Sequence, residues 1–280
     1  MTGQIRSRVP WDEYLSLPGL SISRLKELRR SPQHYLYRMQ VPRESAALRL
    51  GRAAHCAVLE PERFDEQFAV WGRRTDDGKL SPRRGRVWEA FEREHAGRTI
   101  ITDAEAELAE AIRHAVHTHP ATGRYLWTGD PEVTMQWELG NRACKGRVDW
   151  LTTVEDRPVL VGLKTTRDCR PFFFGAQAAK LGYHLQWAWY HDGYATIQGV
   201  EPRLVEIVVE SDPPHAVAVY SIPRDIIDQG RDEYRNLLAQ LDECMAAQRF
   251  PGPCDVEQEL SLPTWVYRTD DDIADLELET

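Results

Sequence analysis

Hydrophobic and polar positions change rhythm twice along this chain. From Leu20 to Val116 the apolar residues recur mainly at helical spacing. Before that, residues 1–18 read as an extended lead-in punctuated by Pro10 and Pro18. Ile22, Leu25 and Leu28 form the inner stripe of a helix opening at Leu20, which Ser21 or Ser23 can cap. Ser31-Pro32 breaks that helix and restarts it ahead of Tyr35. A second helix is expected over 45–60, rich in small residues and ended by Pro61. Helices follow over 86–94 and 103–116, the latter capped by Thr102 or Asp103.

The rhythm then shortens. Residues 132–138, 143–153 and 159–166 are runs rich in Val, Leu and Thr, and Glu155-Asp156-Arg157-Pro158 is a polar turn between the last two. Phe172 leads into a helix running through Gln186 and Tyr190, strands are expected at 204–210 and 216–222, and a long helix at 224–248 closes the pattern. Strands, a crossing helix and strands again predict a mixed α/β core with the early helices packed on it. Residues 1–125 form a helical N-terminal part contributing to the site, 126–268 the core, and 269–280 an acidic tail expected to be disordered, all in one structural domain.

Composition adds few constraints. No apolar run approaches the roughly 20 residues that span a bilayer. The opening Met-Thr-Gly-Gln-Ile-Arg has no secretory core, so a cytoplasmic location is expected. Cys56, Cys144, Cys169, Cys244 and Cys254 are scattered and odd in number, which favours reduced thiols over an iron–sulfur cluster. The formal charge of −9 is unevenly placed. From Asp255 onward nine acidic residues face Arg268 alone, whereas 20–52 carry eight basic residues against Glu27 and Glu44. A basic cleft inside an acidic exterior would suit a protein that encloses DNA.

Chemistry concentrates in two strands. Asp149 lies inside the first and Lys164 near the end of the second, and both are costly to bury without partners, which a metal ion and a phosphate would supply. Gly146-Arg-Val-Asp149, Gly162-Leu-Lys164-Thr and Gln186-Trp-Ala-Trp-Tyr190 together resemble the three nuclease motifs of the PD-(D/E)XK superfamily, in its RecB-like branch. The likeness runs over roughly 19–265 and points within that branch to the RecE-type phage exonucleases, the exonuclease VIII C-terminal domain. It implies a restriction-endonuclease-like mixed sheet flanked by helices, with an N-terminal helical extension.

The resemblance assigns roles. Asp149 and the backbone carbonyl of Leu163 become ligands of Mg²⁺ or Mn²⁺. Lys164 orients or deprotonates the attacking water, and Gln186 and Tyr190, at i and i+4 on one helix face, brace the site. Gly51-Arg-Ala-Ala-His55 is similar to the family's G-x-x-x-H segment, making His55 a metal ligand rather than a hydrogen-bonded core histidine. One position departs. The acidic residue expected two before the lysine is Gly162, so a metal ligand is missing and a large loss of rate is expected. Glu138 is a candidate extra carboxylate. His114, His117 and His119 are explained by a helix C-terminus as readily as by a metal.

Arg24, Lys26, Arg29, Arg30 and Arg52 are candidates for DNA phosphate contact against a solvated helix face. Arg73 and Arg74 sit in a basic loop and Arg147 in the first motif. The implied activity is degradation of linear double-stranded DNA from its ends, in the 5′ to 3′ direction, for homologous recombination. The implied partners are a single-strand annealing protein and further copies of the chain in a ring, such as a tetramer. Gly162 opens a second reading, a catalytically inactive DNA-end scaffold, and the branch a third, a nuclease module of a larger complex.

Overall fold

The computed structural model describes residues 3–41, 45–75 and 77–262. The N-terminal half contains β1 (Gln4–Arg6), α1 (Trp11–Ser16), β2 (Leu20–Ser21), α2 (Ile22–Leu25), α3 (Pro32–Gln40) and α4 (Ala46–Leu59). It continues through α5 (Phe64–Gln67), β3 (Phe68–Trp71), α6 (Arg86–Glu94), β4 (Thr99–Thr102), α7 (Asp103–Thr118) and α8 (Gly123–Leu126). The second half runs β5 (Asp130–Leu139), β6 (Arg142–Val154), β7 (Arg157–Thr166), α9 (Pro171–Leu181) and α10 (Tyr183–Gln198). It ends with β8 (Arg203–Glu210), β9 (Val217–Ser221) and α11 (Arg224–Ala247). The mixed α/β core expected from the sequence is present.

The main sheet is ordered β1-β5-β6-β7-β8-β9, with β2 alongside β6. Neighbours are antiparallel except β2–β6 and β7–β8, and for the latter pair α9 and α10 carry the chain back across the sheet. Glu155 and Asp156 both take left-handed φ, the two-residue turn that matches strand twist, and Arg157 already belongs to β7. Along β7 and β8, Val159, Val161, Leu163, Val205, Ile207 and Val209 face α4 and α7. Leu160, Leu204 and Val208 face α10 and α11 with Trp189, Leu185 and Tyr234. Apolar residues on both faces explain why these strands read as continuous hydrophobic runs.

Several expectations needed correction. The described part of the expected lead-in, residues 3–18, is not merely extended. Gln4–Arg6 pairs with β5, and the buried Lys145 ammonium binds the carbonyls of Tyr14, Leu15 and Leu17 at 2.7–3.1 Å, capping α1. A three-residue strand is too short to show periodicity. The helix expected from Leu20 is one turn of α-helix after a short strand, followed by 3₁₀ geometry. The single helix expected from Phe172 is two, because Gly182 adopts φ +65° between α9 and α10. The small parallel pair β3–β4 was not foreseen. Other boundaries agree: Ser45 caps α4, and Thr102 with Glu105 forms a capping box on α7. The tail at 269–280 lies outside the described residues.

Helices α10 and α11 are tied together by Asp192. Its carboxylate accepts two hydrogen bonds from Arg231, at 2.6 and 2.7 Å, and one from Tyr234 at 2.6 Å. Burial opposes its ionisation, but Arg231, His191 and Tyr234 outweigh that and hold the carboxyl well below its usual range. A depressed folded-state value means stability that is present above about pH 4 and lost as pH falls further. Asp192→Ala is therefore expected to cost about 3 kcal/mol near pH 7, read from urea unfolding. The difference from the parent should shrink toward pH 3; a pH-independent difference would exclude this account.

Candidate active site

Strand β6 is thirteen residues long and has different partners on one edge. Cys144 and Lys145 pair with β2, and Trp150 to Val154 pair with β7, leaving 146–149 between them. Asp149 sits at the mouth of this fork, directly beyond the last pair, Trp150↔Val161. Its Oδ2 accepts the Leu163 N–H at 2.8 Å, replacing the ladder bond that the divergence removes. Side-chain alternation also breaks here. Val148 belongs to the cluster under α10 and Trp150 to the one under α7, so Asp149 joins Leu151 on the α10 face. Opposite Asp149, Glu132 takes φ +51° inside β5, a left-handed conformation costly for a side chain in a strand.

Extending the β6–β7 register places Asp149 across from Gly162, and Gly162 pairs with Glu206 of β8. The three positions form one row across three strands, with Lys164 two residues further along the middle strand. The Lys164 ammonium lies 3.5 Å from Asp149 Oδ2, 3.2 Å from Glu206 Oε1 and 3.3 Å from the Leu163 carbonyl oxygen. Glu206 is 1% exposed. Its Oε2 accepts the Trp187 indole N–H, whereas the buried Oε1 faces only the Lys164 ammonium. A Cβ built on Gly162 would lie 2.7 Å from both Cδ and Oε2 of Glu206. The space above Gly162 is filled by that carboxylate.

Electrostatics separate the two acids. Burial pushes the Glu206 carboxyl upward, and the Asp149 charge adds to this, only partly offset by Lys164. Burial acts likewise on Asp149, but Lys164 and His55 outweigh it and hold that carboxyl below its usual range. Burial disfavours the Lys164 ammonium, yet Glu206 and Asp149 raise its affinity for the proton well above normal. Burial and the Asp149 charge push the Tyr190 phenol up to about 12, so it remains protonated near neutral pH.

Helix α10 roofs the row. Gln186 donates to the Tyr190 hydroxyl at 3.0 Å, and Trp189 donates to the Lys145 carbonyl at 3.1 Å, anchoring the helix to β6. The spacing of Gln186 and Tyr190 thus puts both over the site as expected. Between them and the sheet is a small cavity of about 20 Å³, lined by Asp149, Gly162, Lys164, Gln186, Tyr190 and Glu206 among others. From the opposite side, α4 brings His55 Nδ1 to 3.8 Å from Asp149 Oδ2. The structure therefore gathers Asp149, Leu163, Lys164, Gln186, Tyr190, His55 and Gly162 at one place.

No three His, Cys, Asp or Glu side chains stand together as a ready metal cage among the described residues. The oxygens that do converge surround the Lys164 ammonium. Two carboxylates, a main-chain carbonyl and an adjacent imidazole nonetheless form a donor set suited to Mg²⁺ or Mn²⁺. Glu206 Oε1, whose ion-pair partner is the Lys164 ammonium, is an acceptor such an ion would satisfy.

The candidate DNA contacts separate. Lys26 and Arg29 donate to the carbonyls of Ala179, Lys180 and Leu181, capping the C-terminus of α9, and Arg29 also pairs with Glu233 at 2.8 Å. These two are packing groups rather than a phosphate-facing surface. Arg147 pairs with Glu132 and stacks over Trp11 and Tyr14. Arg74 pairs with Asp103, and Arg52 lies one turn before His55 on α4. Arg24 is half-buried, while Arg30 and Arg73 are exposed. Glu138 is exposed at the other end of β5 from Glu132, away from the site. His117 bonds the Val58 carbonyl, a packing role. Glu206 and Trp187 are the residues that sequence reasoning missed. A lone glutamate inside the apolar run Leu204-Val-Glu-Ile-Val208 was the available signal.

Residues 21–260 match the family described as a PDDEXK-like domain of unknown function, DUF3799. The chain belongs to this family. A crystal structure of a Eubacterium rectale protein, provisionally named an exonuclease, is similar with a TM-score of 0.61 at 14% identity. The match covers 95% of this chain and 100% of that one, and at this identity it bears on the fold alone. The structures of SSO0001 and of the Vibrio cholerae protein VC1899 are 14% and 13% identical. The first match covers 53% of this chain and 69% of that one, the second 89% and 60%. Their TM-scores of 0.28 and 0.23 carry no argument. No curated protein matches the chain.

With the PDDEXK-like fold established, Lys164 is the group whose loss should be felt most. Lys164→Met leaves two buried carboxylates without a counter-charge, an expected cost of about 3–5 kcal/mol. Without the ammonium the raised Glu206 carboxyl rises further, so stability is lost as pH increases. Urea unfolding at pH 5 and pH 8 should show the larger deficit at pH 8; an equal deficit would mean that the carboxylates are not coupled through Lys164.

Proposed function

We propose that this protein is a metal-dependent deoxyribonuclease that degrades linear double-stranded DNA from its ends. One observation carries the reading: at the strand fork of a PDDEXK-like fold, a buried lysine is held between two carboxylates beneath a Gln–Tyr pair. Asp149, the Leu163 carbonyl and His55 are the groups that would hold Mg²⁺ or Mn²⁺. When bound, such an ion supplies Lewis acidity and a water of lowered pKa.

The chain's own residues supply the rest. Lys164, kept as an ammonium by its carboxylate neighbours, serves as a hydrogen-bond donor and counter-charge for the phosphate rather than as a base. Tyr190 retains its proton and is oriented by Gln186, so it can donate to a phosphate oxygen. Helix α10 shields the row from bulk water, which strengthens each of these interactions. Arg24, Arg30, Arg52 and Arg73 are the basic groups assigned to the DNA backbone. Resection from 5′ to 3′, service in phage or prophage recombination, a single-strand annealing partner and ring-shaped oligomers are parts of the proposal that rest on the RecE-like motifs.

Digestion of 5′-phosphorylated linear duplex DNA tests the reading. With Mg²⁺ or Mn²⁺ the linear duplex should be degraded and a covalently closed circle spared, and chelation should stop the reaction. Asp149→Ala and Lys164→Ala should each lower the rate by about 10²–10³-fold. End binding without digestion under both metals would instead favour an inactive scaffold. Digestion only with an added partner would favour a module of a larger complex.

A further inference from the structure

We infer that Glu206, on β8, supplies the carboxylate that the PD-(D/E)XK pattern places at position 162 on β7. This rests on the nuclease reading above and replaces the expectation that Gly162 disables the site. Gly162 and Glu206 are direct partners in the parallel β7–β8 ladder, on strands about 4.8 Å apart. A glutamate is one methylene longer than an aspartate, and this one leans back over the glycine until its carboxylate lies within 2.7 Å of where a Cβ would be. A carboxylate carried by residue 162 and the present Glu206 carboxylate cannot share that space. The glycine is therefore the accommodation for Glu206.

The rest of the environment points the same way. On the same face of β8, Leu204 and Val208 are buried among apolar groups, and an apolar residue between them would cost far less than a carboxylate. Glu206 is instead aimed. Trp187 holds Oε2, leaving Oε1 turned toward Lys164 and a cavity of about 20 Å³. That volume admits one water or small ion. Glu206 Oε1, Asp149 Oδ2 and the Leu163 carbonyl lie around a single positive charge, now the ammonium of Lys164. The sidewise move of one carboxylate between adjacent strands preserves the charge of the site.

Four variants test the assignment: Glu206→Gln, Glu206→Ala, Gly162→Asp, and Gly162→Asp combined with Glu206→Ala. Each is checked for cooperative thermal unfolding. Mn²⁺ binding is measured calorimetrically without DNA, beside digestion of linear duplex. We expect Glu206→Gln to weaken Mn²⁺ binding at least tenfold and slow digestion at least a hundredfold. Gly162→Asp alone should bring no gain in either. The double variant should recover at least tenfold over Glu206→Ala in both. Unchanged Mn²⁺ affinity in Glu206→Gln, no Mn²⁺ binding by the parent, or faster digestion by Gly162→Asp alone would each overturn the assignment. If Mn²⁺ binding depends on Glu206 while no form digests DNA, the carboxylate assignment stands and the nuclease reading falls.

Discussion

The site depends on a buried ammonium held between two carboxylates. Lys164 has an anionic oxygen at 3.2 Å and another at 3.5 Å. Each contact contributes about 5 kcal/mol of attraction at an effective dielectric near 20. Removing three ions from water costs several kcal/mol apiece, and the two carboxylates repel each other. Gain and cost are of similar size, and burial together with the Asp149 charge leaves the Glu206 carboxyl pushed upward. A buried charged cluster beside the Val, Leu and Ile side chains of β7 and β8 is expected of groups kept for chemistry.

That requirement sets the register. Asp149 comes from β6 and Glu206 from β8, so both must align with Lys164 on the strand between them. The fork in β6 makes this possible. Where β2 and β7 share one edge of a longer strand, 146–149 are left without a strand partner on that side, and a side chain can take over a main-chain bond. Glu132, left-handed across from Asp149, sits where side-chain alternation in β6 is broken. Local strain and a gap in the ladder coincide with the site, as they do where geometry is fixed by surrounding packing.

Charge elsewhere serves architecture more than the basic composition of the N-terminal segment suggests. Lys26 and Arg29 cap α9, Lys145 caps α1, and Arg231 with Asp192 joins α10 to α11. These contacts hold α10 over the row while its tryptophans bond to β6 and β8. A cation's role followed from which carbonyl or carboxylate the fold brought to it, and the count of cations in a segment did not reveal that.

The alternation and length of the apolar runs determined the mixed sheet, the β6–β7 hairpin, the capped α4 and α7, and the long final helix, because these depend on local periodicity and capping chemistry. The spacing within Gly146–Asp149, Gly162–Lys164 and Gln186–Tyr190 likewise marked one site, since residues close in sequence hold fixed positions on one strand or helix. Tertiary structure alone decided what Gly162 means. Its neighbour Glu206 is forty-four positions away and arrives through a parallel pairing that two crossing helices make possible. A carboxylate's distance in space is set by strand register, and register between non-adjacent segments leaves no period in the sequence.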